Sequence, residues 1–249
     1  MPNLPTPDDG HPHPSTTRPA SPPGAASGLY PLSDEDIYEC LPRLRRDTPP
    51  SGVLSSPPQI PHLGGRFTLR AANPATHDPE VVSRWMNSPH LVDTWEQPWP
   101  PERWKRDWQA KLSGTYSVPL ILLLDGCECG YMEIYRPHRD EISHVYHSQP
   151  HDLSFHIAVG DVDKTGRGIF PPLFTELRNA LLSGDPMCDL IVIEPDYRNK
   201  KIPHITLKTG WVDAGERQQR PDRRVRLLGY PTTDDATRRL VTIPHDHRR

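Results

Sequence analysis

The chain has 249 residues, a formal net charge of −3 and 24% charged residues, with an isoelectric point near 6.5. So balanced a charge excludes a general attraction to nucleic acid or to an anionic membrane. The longest apolar run, Val118 to Leu124, is too short to span a bilayer, and Cys40, Cys127, Cys129 and Cys188 lack the spacing of a zinc site or a disulfide framework.

Of 32 prolines, 15 fall in the first 61 residues, mixed with Ser, Thr, Gly, Asp and His. Such a segment buries too little apolar surface to offset its ordering entropy, so residues 1–63 are expected to be a mostly disordered tail. One island stands out within it. Ser33-Asp34-Glu35-Asp36 is a helix-start signal, and Ile37, Cys40, Leu41 and Leu44 form one apolar stripe, which predicts a short helix over 33–45. The N-terminus lacks the basic-then-apolar pattern of a signal peptide, and a soluble, reducing cytoplasmic setting is expected.

Residues 64–232 are expected to hold a single core. Phe67 to Arg70 reads as a first strand, and Asp78 to Asn87 as a helix carrying Val81, Val82, Trp85 and Met86. Five of six tryptophans lie between Trp85 and Trp108. Trp104 and Trp108 sit at i,i+4 on a helix and are assigned to the core; Trp95 and Trp99 occupy a Pro-broken loop. Leu120–Leu124 and Gly130–Tyr135 read as strands joined through Asp125-Gly126, a hairpin signal. Residues 136–152 are polar and His-rich, yet show no helical metal-ligand pair, so no metal is expected. Lys201 to Thr209 reads as a helix ended by Gly210, Arg224 to Leu228 as a last strand, and residues 233–249 as a polar tail.

The richest stretch is Leu153 to Asn199. Leu153, Phe155, Ile157 and Val159 alternate with Ser154, His156, Ala158 and Gly160, the period of a two-faced strand. Then comes Lys164-Thr165-Gly166-Arg167-Gly168. It is followed by Phe170, Leu173, Phe174, Leu177 and Leu181 on one helix face, with Pro171 and Pro172 in the first turn. A glycine turn opening a helix offers free N–H groups and a positive dipole end, which suits a phosphate. Leu190 to Ile193 is a buried strand ending at Glu194-Pro195-Asp196.

His156 on one strand, Gly-Arg-Gly at the next helix start and E-P-D-x-x-N after the following strand resemble the GNAT acyltransferase superfamily. They most resemble its siderophore-biosynthesis branch, which acylates lysine or ornithine side chains, often hydroxylated. The likeness runs from about Phe67 to Tyr230 and includes Trp85-Met86-Asn87, Trp95, Gly130 to Tyr135 and Tyr146. It implies an α/β (α+β) GNAT fold: a central mixed, mostly antiparallel sheet with one splayed parallel strand pair and helices on both faces. It also implies an enzyme moving an acyl group to an amine or hydroxylamine.

By that resemblance, Asp196 accepts the proton and His156 orients the attacking nitrogen or shares the relay. Ile157, Ala158 and Val159 bind pantetheine through their backbone. Lys164, Thr165, Gly166, Arg167 and Gly168 wrap the pyrophosphate, with Asn199 nearby. His156, Trp95, Trp99, Glu133, Tyr135 and Tyr146 border the acceptor. The turn departs from the family's usual pattern: aligned on Gly168, Thr165 replaces a basic residue and Phe170 a small one, where the phosphate should approach. Acyl-CoA, acetyl-CoA first, is the expected donor, and a carrier-protein-bound acyl group stays open. The implied protein partner is an acyl carrier protein or a siderophore synthetase. Two other readings also stay open: an aminoglycoside-type N-acetyltransferase, and a non-catalytic GNAT-like domain that binds an acyl group or docks a partner.

Overall fold

The computed structural model describes residues 32–244; the expectations for residues 1–31 and 245–249 lie outside them. Seven strands form one sheet in the order β1-β2-β3-β4-β5-β7-β6. They are β1 (Phe67–Ala71), β2 (Ser117–Leu124), β3 (Cys127–Tyr135), β4 (Leu153–Val159), β5 (Leu190–Ile193), β6 (Val212–Arg220) and β7 (Arg223–Pro231). All neighbours are antiparallel except β4 and β5. This is the mixed, mostly antiparallel sheet expected. The β2–β3 hairpin turns at Asp125-Gly126, both at positive φ (50° and 79°), as the twist of a two-residue hairpin demands.

Among the described residues seven α-helices flank the sheet: α1 (Asp34–Cys40), α2 (Asp78–Met86), α3 (Pro89–Trp95), α4 (Pro101–Leu112), α5 (Pro171–Gly184), α6 (Lys201–Thr206) and α7 (Asp234–Val241). Strand alternation sorts the core into two faces. Leu120, Leu122, Met132, Ile134 and Phe155 pack under Leu173, Phe174, Leu177 and Leu181 of α5. On the other face, Ile121, Tyr131 and Ala158 meet Val82 and Met86 of α2 and the fully buried Trp104 and Trp108 of α4.

The helix expected over 33–45 forms as α1, but residues 32–63 and 233–244 pack on the domain where tails were expected. Residues 32–63 carry α1, started by a capping box between Ser33 and Asp36. Cys40, Leu41 and Leu44 are buried, and Arg103 of α4 donates to the Cys40 carbonyl at 2.8 Å. Further along, Leu63 is buried in the sheet core. The proline content misled because extended proline-rich chain also packs when a few apolar residues anchor it. After Thr232 the chain is again helical rather than tail-like. The Thr233 hydroxyl caps α7 by accepting from Ala236 N, and Ala236 and Leu240 are fully buried beside Leu227. Leu240→Ala is expected to cost about 3 kcal/mol, the usual loss for a buried leucine, read as a lowered urea midpoint.

Candidate active site

Strands β4 and β5 pair in parallel at only two positions, Leu153 with Ile191 and Ser154 with Val192. Past them the strands part. The gap opens into a cavity of about 280 Å³ whose walls include Phe155, His156 and Ile157 from β4 and Ile193, Glu194, Pro195 and Asp196 from β5 and its exit. Trp95 and Trp99 from the α3–α4 region, Pro42 and Arg43 beyond α1, Asn199, and Arg220 and Arg223 of the β6–β7 hairpin complete the lining. The splay leaves β4 without a strand partner on that side, which frees backbone groups to meet a ligand.

A buried charge network lies behind the cavity. His156 Nε2 is 2.7 Å from Glu194 Oε1, and its Nδ1 is 3.5 Å from Glu133 Oε2. The Tyr135 hydroxyl donates to Glu194 at 2.5 Å, and its ring stacks on the imidazole at 4.8 Å. Arg43 Nη2 donates to Glu194 at 2.7 Å and to Asp140 at 3.1 Å, while its Nη1 is 3.3 Å from His156 Nε2. Tyr116 also donates to Asp140. On the far side Lys111 pairs with Glu133 and lies 2.7 Å from Asp107, and Tyr131 donates to Glu133 at 2.6 Å.

These contacts set the protonation states. Burial pushes the Glu194 carboxyl up, but the adjacent His156 and Arg43 outweigh it and hold it well below the usual carboxylate range. Burial also opposes charge on His156; Glu194 pulls its pKa up, Arg43 pulls it down, and the balance lies above the ordinary histidine value. For Glu133, burial is again overcome, chiefly by Lys111 and then by His156. Asp107 is pushed up to about 6, mainly by burial. Burial and the neighbouring carboxylates push the Tyr135 phenol well up, so it stays a donor.

The expected residues separate into three groups. His156, Asp196, Ile157, Asn199, Trp95 and Trp99 all line the cavity, and the Trp95 ring lies edge-on to His156 at 5.9 Å. Glu133 and Tyr135 stand one contact behind the wall. Glu133 is buried and paired with Lys111, and its Oε2 is 3.5 Å from His156 Nδ1. Tyr146, expected at the acceptor, is corrected: it is fully buried, and its hydroxyl donates to Asp152 at 3.1 Å. Asp196 is held by Arg198, Nε at 2.8 Å and Nη2 at 3.0 Å, which keeps its pKa low. Asn199 Oδ1 accepts from Lys201 N and Ile202 N at the start of α6.

The donor-side loop is open. Gly166 and Gly168 sit at φ 73° and 70° with no atom within 4 Å of where a Cβ would stand. Their backbone therefore adopts the left-handed conformation glycine permits and leaves room for a phosphate group. Pro171 and Pro172 carry no N–H, so donors at this helix start come from the loop. Phe170 does not crowd it: the ring packs on Phe67 at 5.6 Å. Arg167 is exposed, Lys164 is paired with Asp161 at 3.0 Å, and the Thr165 hydroxyl donates to Val162 O at 2.8 Å. Ala158 is buried, and the Val159 carbonyl is 2.9 Å from His90 Nε2, a partner no motif signalled.

Glu194 and Arg43 were missed as site residues. Glu194 carried a signal, a carboxylate directly following a wholly apolar buried strand. Arg43 carried none: it lies in the proline-rich segment, at the end of the predicted 33–45 helix, with no motif of the site near it in sequence. Among the described residues, His77, Asp78 and Glu128 are close enough to share a metal ion, but Arg70 pairs with both carboxylates.

A family model described as the acetyltransferase (GNAT) domain matches residues 75–219. The chain belongs to the GNAT family. This GNAT chain is 38% identical over 201 residues to the lysine N-acyltransferase MbtK of Mycobacterium sp. (strain MCS), covering 80% of the chain and 81% of that relative. It is 28% identical to the N(6)-hydroxylysine O-acetyltransferase of Escherichia coli, over 57% of the chain and 45% of that protein. Among solved structures, an uncharacterized Bacillus halodurans protein superposes with a TM-score of 0.61 at 25% identity, covering 66% of this chain and 83% of that one. The aminoglycoside acetyltransferase AAC(6')-Ib, solved with coenzyme A, shares the GNAT fold at a TM-score of 0.56 and 21% identity, over 71% and 99% of the two chains. The GNAT protein is therefore an acyltransferase, and among its described residues no helix is long and apolar enough to cross a membrane.

Proposed function

We propose that this enzyme moves an acyl group from acyl-CoA to the side-chain nitrogen of lysine, ornithine, a related diamine or their N-hydroxylated forms, giving an amide from the amines and a hydroxamate from the N-hydroxylated acceptors as an arm of an iron-chelating siderophore. The observation that carries the reading is the cavity at the β4–β5 parting, with the His156–Glu194 pair in its wall and Asp196 at its edge. Relatives named for lysine and hydroxylysine acylation support the acceptor class.

In this reading the nitrogen–carbon bond forms, the carbon–sulfur bond breaks, and the nitrogen's proton passes to neutral His156 and from the imidazolium to the leaving thiolate, which returns the histidine to its neutral form. Glu194 stabilises the imidazolium that results, and Arg43 and Tyr135 hold Glu194 in place. Asp196, weakened as a base by Arg198, serves as counter-ion to the acceptor's cation. A freed β4 backbone N–H beyond Ser154 faces the developing oxyanion. The test is thiol release from acetyl-CoA and longer acyl-CoAs with lysine, N6-hydroxylysine, ornithine and kanamycin. Release with a lysine-type acceptor is expected; release with kanamycin alone overturns the acceptor assignment.

A further inference from the structure

Two arginines in the cavity wall have no part in the chemistry described above. Arg220 and Arg223 flank the β6–β7 turn and face the same cavity as His156 and Asp196. A single carboxylate oxygen, Glu96 Oε2, sits between them, 2.7 Å from Arg223 Nη1 and 3.3 Å from Arg220 Nη2. Glu96 itself lies in the α3–α4 loop, with a side chain 42% exposed. The arginines are anchored independently of it. Arg220 Nη1 donates to Glu141 at 2.9 Å, and Arg223 Nε donates to Gln219 at 3.0 Å. Gln219 in turn donates to Glu141 at 3.0 Å. The guanidiniums are thus fixed from behind, while the carboxylate in front of them is partly exposed and is held only through the two arginines among the contacts described.

We propose that Arg220 and Arg223 form the subsite for a carboxylate of the acceptor, and that Glu96 occupies it until the acceptor's carboxylate takes its place. Guanidinium forks match carboxylates in geometry and charge, and exchanging one carboxylate for another leaves the charge of the cluster unchanged. The proposal rests on the acyltransfer reading and narrows it: the acceptor is an amino acid that retains its carboxylate, not the corresponding decarboxylated diamine.

The test compares lysine with cadaverine, its decarboxylated counterpart, on the full-length enzyme. Thiol release is measured for each acceptor, and their binding to the CoA-loaded protein is measured by calorimetry. Lysine is expected to be preferred by about tenfold or more, the worth of a charge-assisted hydrogen bond. Arg223→Met is expected to collapse that ratio, and Arg223→Lys to restore part of it. Glu96→Gln, which removes the internal competitor, is expected to tighten lysine binding severalfold. Equal use of lysine and cadaverine by the unaltered enzyme overturns the subsite while leaving acyl transfer intact. Glu96→Gln weakening both ligands alike makes Glu96 a structural latch and overturns its displacement. Arg223→Met weakening acyl-CoA instead of lysine assigns the arginines to the donor. If neither amine supports release, the acyltransfer reading to these acceptors fails, and calorimetry still decides the subsite: no preference for lysine sinks it.

Discussion

Glu194→Gln is expected to lower kcat by about 10²-fold, the lower range for losing acid–base assistance, and to shift the acid limb of the pH–rate profile to lower pH. Arg43→Met is expected to shift the same limb to higher pH. The two signs follow from the geometry. Neutral His156 accepts the proton, so activity rises as pH passes upward through its raised pKa. Glu194, 2.7 Å from Nε2, stabilises the imidazolium; its removal lets the imidazole lose its proton earlier. Arg43 opposes the imidazolium from 3.3 Å and also neutralises Glu194; its removal strengthens the histidine's hold on its proton. Stopped assays in overlapping buffers across pH 5–9 read both shifts. Limbs that stay fixed in both variants remove His156 from the proton path.

The second large effect is on stability. Lys111 is 5% exposed and lies between Asp107 and Glu133. Lys111→Met leaves two buried carboxylates without their cation, and breaking a buried pair costs about 3–5 kcal/mol. For a chain of this size that corresponds to a fall of roughly 10 °C in Tm. The loss carries its own pH signature. With the lysine gone, Asp107 loses the cation that opposes its burial and its folded-state pKa rises further above the unfolded one, so the variant is most penalised at high pH and recovers as the carboxyl protonates. Asp107, already pushed up to about 6 in the intact protein, leads this recovery. Urea titrations at pH 8 and pH 5 are expected to show the larger deficit at pH 8. A deficit below about 1 kcal/mol at pH 8 contradicts the assignment, since even the smallest buried-pair losses exceed it.

The sheet was legible wherever residues alternate or run apolar between turns. β5 falls on the expected Leu190–Ile193, and the β2–β3 hairpin turns at the expected Asp125-Gly126. β6 was not, because Val-Asp-Ala-Gly-Glu-Arg-Gln-Gln-Arg has no apolar period: it is an edge strand with little of its surface in the core. α7 hid for a related reason, two buried apolar residues among charged ones. His156 and Asp196, which line the cavity, stood out because they sit in ordered motifs on β4 and just after β5. Glu194 reads in the sequence only as part of a turn. Arg43 lies 151 positions from the carboxylate it pairs with, and spacing carries no information over such a separation.

The strand order has a consequence for synthesis on the ribosome. β7 lies between β5 and β6, so β5 leaves the exit tunnel well before its antiparallel neighbour has been made. At about 5–20 residues per second that interval lasts a few seconds, during which the all-apolar Leu-Ile-Val-Ile edge has no cover. The intervening segment ends in Glu-Arg-Gln-Gln-Arg, a run too polar to pair there in β7's place. That polarity leaves the edge free until the arriving β7 strand claims it.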